Sequence, residues 1–263
     1  MFYISKKEKI KSTIVIGIMF FGIVELQAYQ PGKWSPMDIY VEQEIKGGPK
    51  SLELKNAEGK TLEISKFEYN SKGRLIEEKF YQPSGKFTGK IQYEYNLGNI
   101  SSEVLLDSNG NVLSRKEFKI RPKSMEITVL DAKGETIMRH FIRHNKMKVT
   151  GGKEYNGDVT DQFVVSYDKG GRVQKLSFIR PGGSSITEIN YSYDVNGKLI
   201  SRTLRDDTVL SVCKYDYDEK GNIKSFTYYN GSDGKLIKDK TLIFDYSGFA
   251  QKSKDQKTLT GLK

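Results

Sequence analysis

Hydrophobic and polar residues alternate in short stretches along most of the chain after residue 50. The clearest stretch is residues 87–95, where odd positions carry Phe, Gly, Ile, Tyr and Tyr and even positions carry Thr, Lys, Gln and Glu. Alternation with a period of two is typical of a β-strand that buries one of its faces. The pattern therefore predicts strands with one apolar, aromatic face and one charged face.

One turn pattern separates these stretches: Asp or Asn, two variable residues, Gly, a polar residue and an aliphatic residue. It occurs at residues 56–62, 70–76, 107–113, 131–137, 194–200 and 218–224, with a shorter copy at 232–237. Asp or Asn binds the backbone ahead of it, and Gly adopts the positive φ angle that closes a hairpin with a bulge. Because breakers recur about every 12 residues, residues 51–249 should hold on the order of 16 antiparallel strands.

A sheet of that many strands twists and cannot stay flat. We therefore predict a mainly β fold, a long antiparallel β-meander of hairpin repeats. The meander is expected to form a curled single sheet, an open shell or a barrel, in preference to a two-sheet sandwich. The pattern leaves the choice between a closed barrel and an open curled sheet undecided.

The first 28 residues have the character of an export signal. Lys6, Lys7, Lys9 and Lys11 precede an apolar run at residues 13–24, and Ala28 follows as a small residue at the expected cleavage position. The run has 12 residues, whereas a membrane-spanning helix needs about 20. We predict a cleaved signal peptide at residues 1–28 and an exported bacterial protein, either periplasmic, on the cell surface or secreted. A retained anchor stays open because Leu26 is large for a cleavage site; after cleavage no stable transmembrane segment is expected.

Two further segments flank the predicted repeats. In residues 29–50, Ser35, Pro36 and Asp38 are typical of a helix start. A single short helix is unstable alone, so we expect it and Trp34 to plug one end of the sheet. Residues 250–263 form a basic C-terminal tail.

An aromatic pair often leads into the turn, as in Tyr93-Glu94-Tyr95-Asn96, Tyr191-Ser192-Tyr193-Asp194 and Tyr215-Asp216-Tyr217-Asp218. This pattern resembles the Rhs or YD-repeat family, whose unit centres on Tyr-Asp, two variable residues, Gly and an aliphatic residue. The resemblance covers residues 51–249 and is weakest between residues 118 and 157. It implies strands that spiral into a β-shell, which in large members encloses a toxic C-terminal polypeptide. This chain has too few repeats to enclose a domain, so the resemblance implies the fold without the toxin.

Charge is concentrated in the middle of the chain. The 263 residues include 43 Lys and Arg and 33 Asp and Glu, and residues 115–153 alone hold eleven of the cations against four carboxylates. Such a stretch attracts anionic partners, and solvated strand faces are the alternative explanation. The candidate partner-binding residues are Arg115, Lys116, Lys119, Arg121, Lys123, Arg139, Arg143, Lys146 and Lys148. Candidate partners outside the cytoplasm are an anionic glycan, lipopolysaccharide or an acidic protein, and nucleic acid is not expected.

The sequence identifies no catalytic, cofactor-binding or metal-binding residues. His140 and His144 share a strand face, but no nearby Cys or carboxylate supplies a third metal ligand, and Arg139 and Arg143 flank the two histidines. Cys213 lies within an apparent strand and is expected to be a small buried residue. Asp216, Asp218 and Gly221 are explained by turn chemistry better than by calcium binding, because Lys220 occupies a ligand position.

We therefore expect an exported, non-enzymatic β-repeat protein that acts as a binding module. Two alternatives from other functional classes, a structural or membrane protein and an enzyme, stay open. One is an envelope structural component or an outer-membrane barrel, which requires an outward apolar band. The other is a carbohydrate-active enzyme using carboxylates such as Asp206 and Asp207.

Overall fold

The computed structural model describes residues 48–247, apart from residues 72–73, 146–147, 158, 181–182, 184, 207–208 and 233–234. The described residues form sixteen β-strands, as the spacing of the turns predicts. They are β1 (Ser51–Asn56), β2 (Thr61–Tyr69), β3 (Leu75–Tyr81), β4 (Phe87–Asn96), β5 (Asn99–Asp107), β6 (Val112–Arg121), β7 (Ser124–Asp131), β8 (Thr136–Asn145), β9 (Lys148–Asn156), β10 (Val159–Tyr167), β11 (Val173–Ile179), β12 (Ser185–Tyr193), β13 (Leu199–Asp206), β14 (Leu210–Tyr217), β15 (Ile223–Ser232) and β16 (Lys235–Asp245). The signal peptide, the helix expected near Ser35, Trp34 and the basic tail all lie outside the described residues.

Each strand pairs antiparallel with its neighbours in sequence, and the two terminal strands pair with each other. Ser51 to Asn56 of β1 lie opposite Asp245 to Lys240 of β16, which closes the sheet into a barrel. The expected meander is thus confirmed, in its closed form. Closure pairs the two strands that would otherwise be left as sheet edges.

The inward face carries the core that the alternation predicts. In β4, Ile91 and Tyr93 are buried, whereas Gln92 and Glu94, each the next residue along the strand, are exposed. The largest apolar side chains with less than 2% exposure are Phe80, Ile142, Phe163, Leu176, Ile189, Phe226 and Leu242. Protein atoms therefore fill the space around these inward side chains.

The turns have the geometry that their sequence pattern predicts. In the turn after β12, the Gly197 N–H donates to the Asp194 carbonyl at 3.0 Å, and the Asp194 N–H donates to the Lys198 carbonyl at 2.8 Å. Asp194 Oδ1 accepts the N–H groups of Asn196 and Lys198, and Gly197 has a φ of 82°. The same two main-chain hydrogen bonds recur in the turns that begin at Asn56, Asp107, Asp131, Asp168 and Asp218. Aspartate or asparagine and glycine at this spacing thus fix these six reversals locally.

Successive turns alternate between the two ends of the barrel, because successive strands run in opposite directions. We call the end that holds the turns after the even-numbered strands the tyrosine end, and the other the opposite end. At the tyrosine end, each tyrosine of a Tyr-Asp or Tyr-Asn pair points inward beside a β-bulge, as Tyr193 does where it faces Leu199. The bulges occur at the positions where the turn pattern predicts them.

The tyrosines at this end connect consecutive repeats. The Tyr193 hydroxyl donates to the Val173 carbonyl at 2.7 Å, and the Tyr217 hydroxyl donates to the Leu199 carbonyl at 2.7 Å. Each accepting carbonyl belongs to the first strand residue after the preceding repeat's turn. Equivalent hydrogen bonds join Tyr69 to Pro49, Tyr95 to Leu75 and Tyr167 to Val149. We call this series the tyrosine ladder.

A basic side chain covers most rungs of the tyrosine ladder. Arg172 lies 4.9 Å from the ring centroid of Tyr193, and Lys198 lies 5.2 Å from that of Tyr217. Arg74 over Tyr95 and Lys148 over Tyr167 repeat the arrangement. Arg74, Arg172 and Lys198 each follow the turn glycine of one repeat and contact the tyrosine of the next, and Lys148 makes the same contact from the start of β9. These cation–π contacts help to hold neighbouring hairpins in register.

Candidate functional site

The central basic stretch folds into β6 to β9, and strand alternation sends most of its cations outward. On β6, Arg115, Lys119 and Arg121 are exposed and alternate with inward residues such as Phe118. On β8, Arg139 and Arg143 are exposed on either side of buried Ile142. We call the outward-facing cations of these strands the basic flank, and its members are Arg115, Lys119, Arg121, Arg139, Arg143 and Lys153. Lys153 of β9 is a member that the sequence-based selection missed.

The other four predicted residues lie elsewhere. Lys116 points inward, and its Nζ lies 2.9 Å from Glu103 Oε2, whose side chain is 4% exposed. Lys123 is exposed in the turn between β6 and β7. Lys148 covers Tyr167 in the tyrosine ladder and donates to the Gly171 carbonyl at 3.1 Å. Lys146 lies outside the described residues.

The basic flank keeps an excess of positive charge. The outward faces of β6 to β9 carry six cations against two carboxylates, Glu117 and Glu126. Among the described residues, none of the six cations forms an ion pair. Arg139 lies over the outward-facing ring of Tyr155, at 5.2 Å from the centroid. The flank can therefore attract and hold a negatively charged group.

Two shallow clefts mark the surface of the basic flank. The first, of about 480 Å³, extends from Glu94 on β4 past Arg115 and Lys119 to Glu126 on β7. The second, of about 190 Å³, is lined by Glu126, Arg139, Phe141, His140 and Tyr155. Because Glu126 lines both, the two clefts adjoin.

A cluster of carboxyl groups lies inside the barrel, and sequence reasoning did not detect it. Glu78 is completely buried, and its Oε2 accepts the Tyr93 hydroxyl at 3.3 Å. Burial raises the pKa of Glu78 well above its ordinary value, and the nearby charges of Glu63 and Glu103 add to that effect. Burial also raises the pKa of Glu63 to about 7. Glu78 is covered by the core and is therefore out of reach of a partner at the surface.

The histidines, Cys213 and Asp218 can be compared with their sequence-based interpretations, whereas Asp207 lies outside the described residues. His140 Nδ1 lies 3.4 Å from Glu154 Oε2, a carboxylate on the neighbouring strand that sequence spacing did not indicate. Burial lowers the pKa of His144. Across the part of the chain that the structure describes, no group of three His, Cys, Asp or Glu residues is placed to hold a metal ion. Cys213 is buried, and Asp218 Oδ1 accepts the N–H groups of Lys220 and Asn222, as turn chemistry predicts.

The repeated turn and its tyrosine are features of a known family. The family model described as teneurin YD-shell matches residues 106–258, which is more than half of the chain. The chain belongs to the teneurin YD-shell family. This membership confirms the resemblance to YD repeats, and it identifies the protein as a β-repeat structural module.

Several solved structures are similar to this YD shell only remotely. A porin-like protein from Bacteroides uniformis is 13% identical with a TM-score of 0.38, over 74% of this chain and 96% of that one. The Tc holotoxin pore of Photorhabdus luminescens is 12% identical with a TM-score of 0.26, over 71% of this chain and 12% of that one. A TcdB2–TccC3 structure is 8% identical with a TM-score of 0.27, over 70% and 15%. The YD shell thus spans a small part of these toxin chains, and at such scores the likenesses carry no inference about its function.

No curated protein matches this YD shell. Among the residues that the structure describes, no helix has the length and apolar character needed to cross a membrane.

Proposed function

We propose that this YD shell is an exported, non-enzymatic module that binds an anionic partner through its basic flank. The observation that carries the proposal is the excess of six outward cations over two carboxylates on four adjacent strands. Residues separated by up to 38 positions in sequence contribute to this one surface, from Arg115 to Lys153. The lysine-rich leader and apolar run at residues 1–28 support the export part of the proposal.

Electrostatic attraction determines how binding to the basic flank should depend on salt concentration. A cluster of exposed cations raises the local concentration of anions and accelerates their association, and salt screens the effect. The charge-assisted hydrogen bonds that Arg and Lys make with carboxylate, sulfate or phosphate groups are stronger than neutral ones. Binding through the flank should therefore be strong at low salt and weak at high salt.

The test measures binding of the chain without residues 1–28 to three immobilised polyanions, one for each candidate partner class. They are polyglutamate, lipopolysaccharide and polygalacturonate. We expect binding to at least one of them at about 0.01 M salt and its loss near 1 M, because the Debye length falls from roughly 30 Å to roughly 3 Å over that range. Absence of binding to all three at low salt contradicts the proposal.

Matched charge variants locate the binding surface. Arg115→Gln, Lys119→Gln and Arg139→Gln together remove three charges from the basic flank and should abolish binding. The control variant neutralises Arg205, Lys224 and Lys238, which are exposed cations on β13, β15 and β16. It loses the same net charge and should bind like the parent protein. Equal losses in both variants would show that net charge, and not the flank, governs binding.

A further inference from the structure

The first cleft and the second follow a single cross-strand row. Glu94 lies opposite Ser102, and Ser102 lies opposite Glu117. The row continues through Thr128 and Arg139 to Tyr155, each directly opposite the last. It therefore crosses six strands from β4 to β9. Neighbouring strands lie about 4.8 Å apart, so the row is roughly 24 Å long.

Every residue of this row has a polar group that can form hydrogen bonds, and all of them except the buried Ser102 are at least partly exposed. Ser102 Oγ already donates to Glu94 Oε2 at 2.6 Å, and Arg139 lies over the Tyr155 ring. Outward residues on both sides of the row add charge, with Arg115 on one side and Lys119 on the other. The row is thus straight, long and lined by hydroxyls, carboxylates and cations together.

The mixture of charges selects among anionic partners. Glu94, Glu117 and Glu126 accept hydrogen bonds but repel a ligand that carries only negative charge, such as polyphosphate. An acidic polysaccharide presents both kinds of partner, because its hydroxyls donate to carboxylates while its acid groups meet the cations. The rings of Phe141 and Tyr155 at the β8–β9 end of the second cleft offer apolar surface to the C–H faces of a sugar.

The closed sheet argues against an extended peptide as the ligand. Recognition by strand addition requires a sheet edge with unpaired backbone groups. Strands β4 to β9 are all paired on both sides. A partner of this surface must therefore be recognised through side chains, which suits a linear polymer with polar groups along its length.

We propose that the cross-strand row binds a carboxylate-bearing polysaccharide chain of the polyuronate type. This inference rests on the proposed function, since it assigns a chemical class to the anionic partner of the basic flank. Arg115, Lys119 and Arg139 meet the uronate carboxylates, while Glu117 and Thr128 bind sugar hydroxyls between them. Tyr155 supplies the stacking surface at one end of the row.

The test compares three polymers by isothermal titration calorimetry at one salt concentration. Polygalacturonate is the probe, its methyl-esterified form lacks the negative charges, and polyphosphate has the charges without hydroxyls. We expect polygalacturonate to bind at least about tenfold more tightly than either of the others, the equivalent of one or two hydrogen bonds. Equal binding of polyphosphate overturns the polyuronate inference and leaves the proposed function standing. Failure of every polyanion to bind overturns both.

Two variants separate hydrogen bonding and stacking from electrostatics. Glu117→Ala makes the flank more positive, so electrostatics alone predicts tighter binding of polygalacturonate. Our inference predicts that this variant binds polygalacturonate more weakly, because a hydrogen-bond acceptor for its hydroxyls is lost, and that it binds polyphosphate more tightly. Tyr155→Ala leaves the charge unchanged and should weaken polygalacturonate binding about threefold to tenfold. Its control is Tyr229→Ala, because Tyr229 lies under Lys214 at 5.1 Å on a distant part of the barrel. Circular dichroism confirms that each variant is folded, and unchanged affinity in both Glu117→Ala and Tyr155→Ala overturns the inference.

Discussion

The buried carboxyl cluster makes the stability of the barrel depend on pH in an unusual direction. Glu78 is inaccessible to solvent, and Glu63 on β2, Tyr93 on β4 and Glu103 on β5 act on it from inside the barrel. Lys116 on β6 pairs with Glu103. Burial favours the protonated form of Glu78 and Glu63, so the pKa of each is higher in the folded state than in the unfolded chain. Their contribution to stability is complete below the unfolded pKa of about 4.5 and is lost as pH rises through the folded pKa.

The magnitude follows from the shift of Glu63. Its pKa rises from 4.5 to about 7, and each unit corresponds to about 1.4 kcal/mol. The free energy of unfolding should therefore fall by roughly 3 kcal/mol between pH 4.5 and pH 8 through Glu63 alone. Ionisation of Glu78 adds to the loss as pH rises through its raised pKa. His144 acts in the opposite direction, because burial lowers its pKa and its neutral form is favoured as pH rises.

The assay is urea unfolding at pH 5, 6, 7 and 8, followed by circular dichroism. The parent protein should lose stability across this series, and Glu63→Gln should remove most of the loss because an amide does not titrate. The control is Glu58→Gln, an exposed turn residue that should leave the slope unchanged. A parent stability that is flat or rising from pH 5 to pH 8, or a slope that survives in Glu63→Gln, would refute this reasoning.

Three substitutions test the fold itself by urea unfolding. Tyr193→Phe removes the 2.7 Å hydrogen bond to the Val173 carbonyl and should lower the free energy of unfolding by about 1 kcal/mol. The control Tyr229→Phe, outside the tyrosine ladder, should lower it less. Equal losses would count against a stabilising role for the ladder. Gly110→Ala places a methyl group at a φ of 87°, where no other atom lies within 4 Å. The expected loss of about 1 kcal/mol in the free energy of unfolding would therefore come from the backbone conformation alone. Unchanged stability would contradict the turn geometry. Phe226→Ala empties a fully buried site and should cost about 3 to 5 kcal/mol, and a cost below about 1 kcal/mol would show that the interior is not tightly packed.

The strands and turns could be predicted because their causes are local. Asp194 and Gly197 determine their reversal within five residues, and alternation in a strand such as β4 identifies its buried face. The closure of the barrel could not be predicted, because it joins Ser51 to Asp245 and nothing near either residue specifies the partner. Sequence reasoning therefore found the meander and left its closure undecided.

The tyrosine ladder was missed for a related reason. The sequence shows an aromatic pair that often leads into the turn, but the hydroxyl of Tyr193 reaches a carbonyl 20 residues earlier in the chain. A signal was available, since a basic residue follows the turn glycine at Gly73-Arg74, Gly171-Arg172 and Gly197-Lys198. If the residue after the turn glycine is interpreted as a contact between repeats, it predicts a cation over the tyrosine of the next repeat.

The candidate site was predicted as a stretch of sequence and not as a surface. Applying strand alternation to β6 would have separated outward Arg115 and Lys119 from inward Lys116. The partner of Lys116 could not be found in this way, because Glu103 lies on another strand and its pairing depends on register. The same limit applies to Glu154 beside His140.

The sixteen strands close on themselves into one YD shell. A cysteine pair at positions 53 and 243 tests this closure, because the outward residues Glu53 and Ile243 lie opposite each other across the seam between β1 and β16. The control pairs Glu53→Cys with Thr227→Cys on β15, one strand beyond β16, and the native Cys213 is buried in both proteins. The closed barrel predicts an intrachain disulfide in the monomeric seam variant under mild oxidation and none in the control. A seam variant that stays reduced, or that forms disulfides only between molecules, would contradict closure.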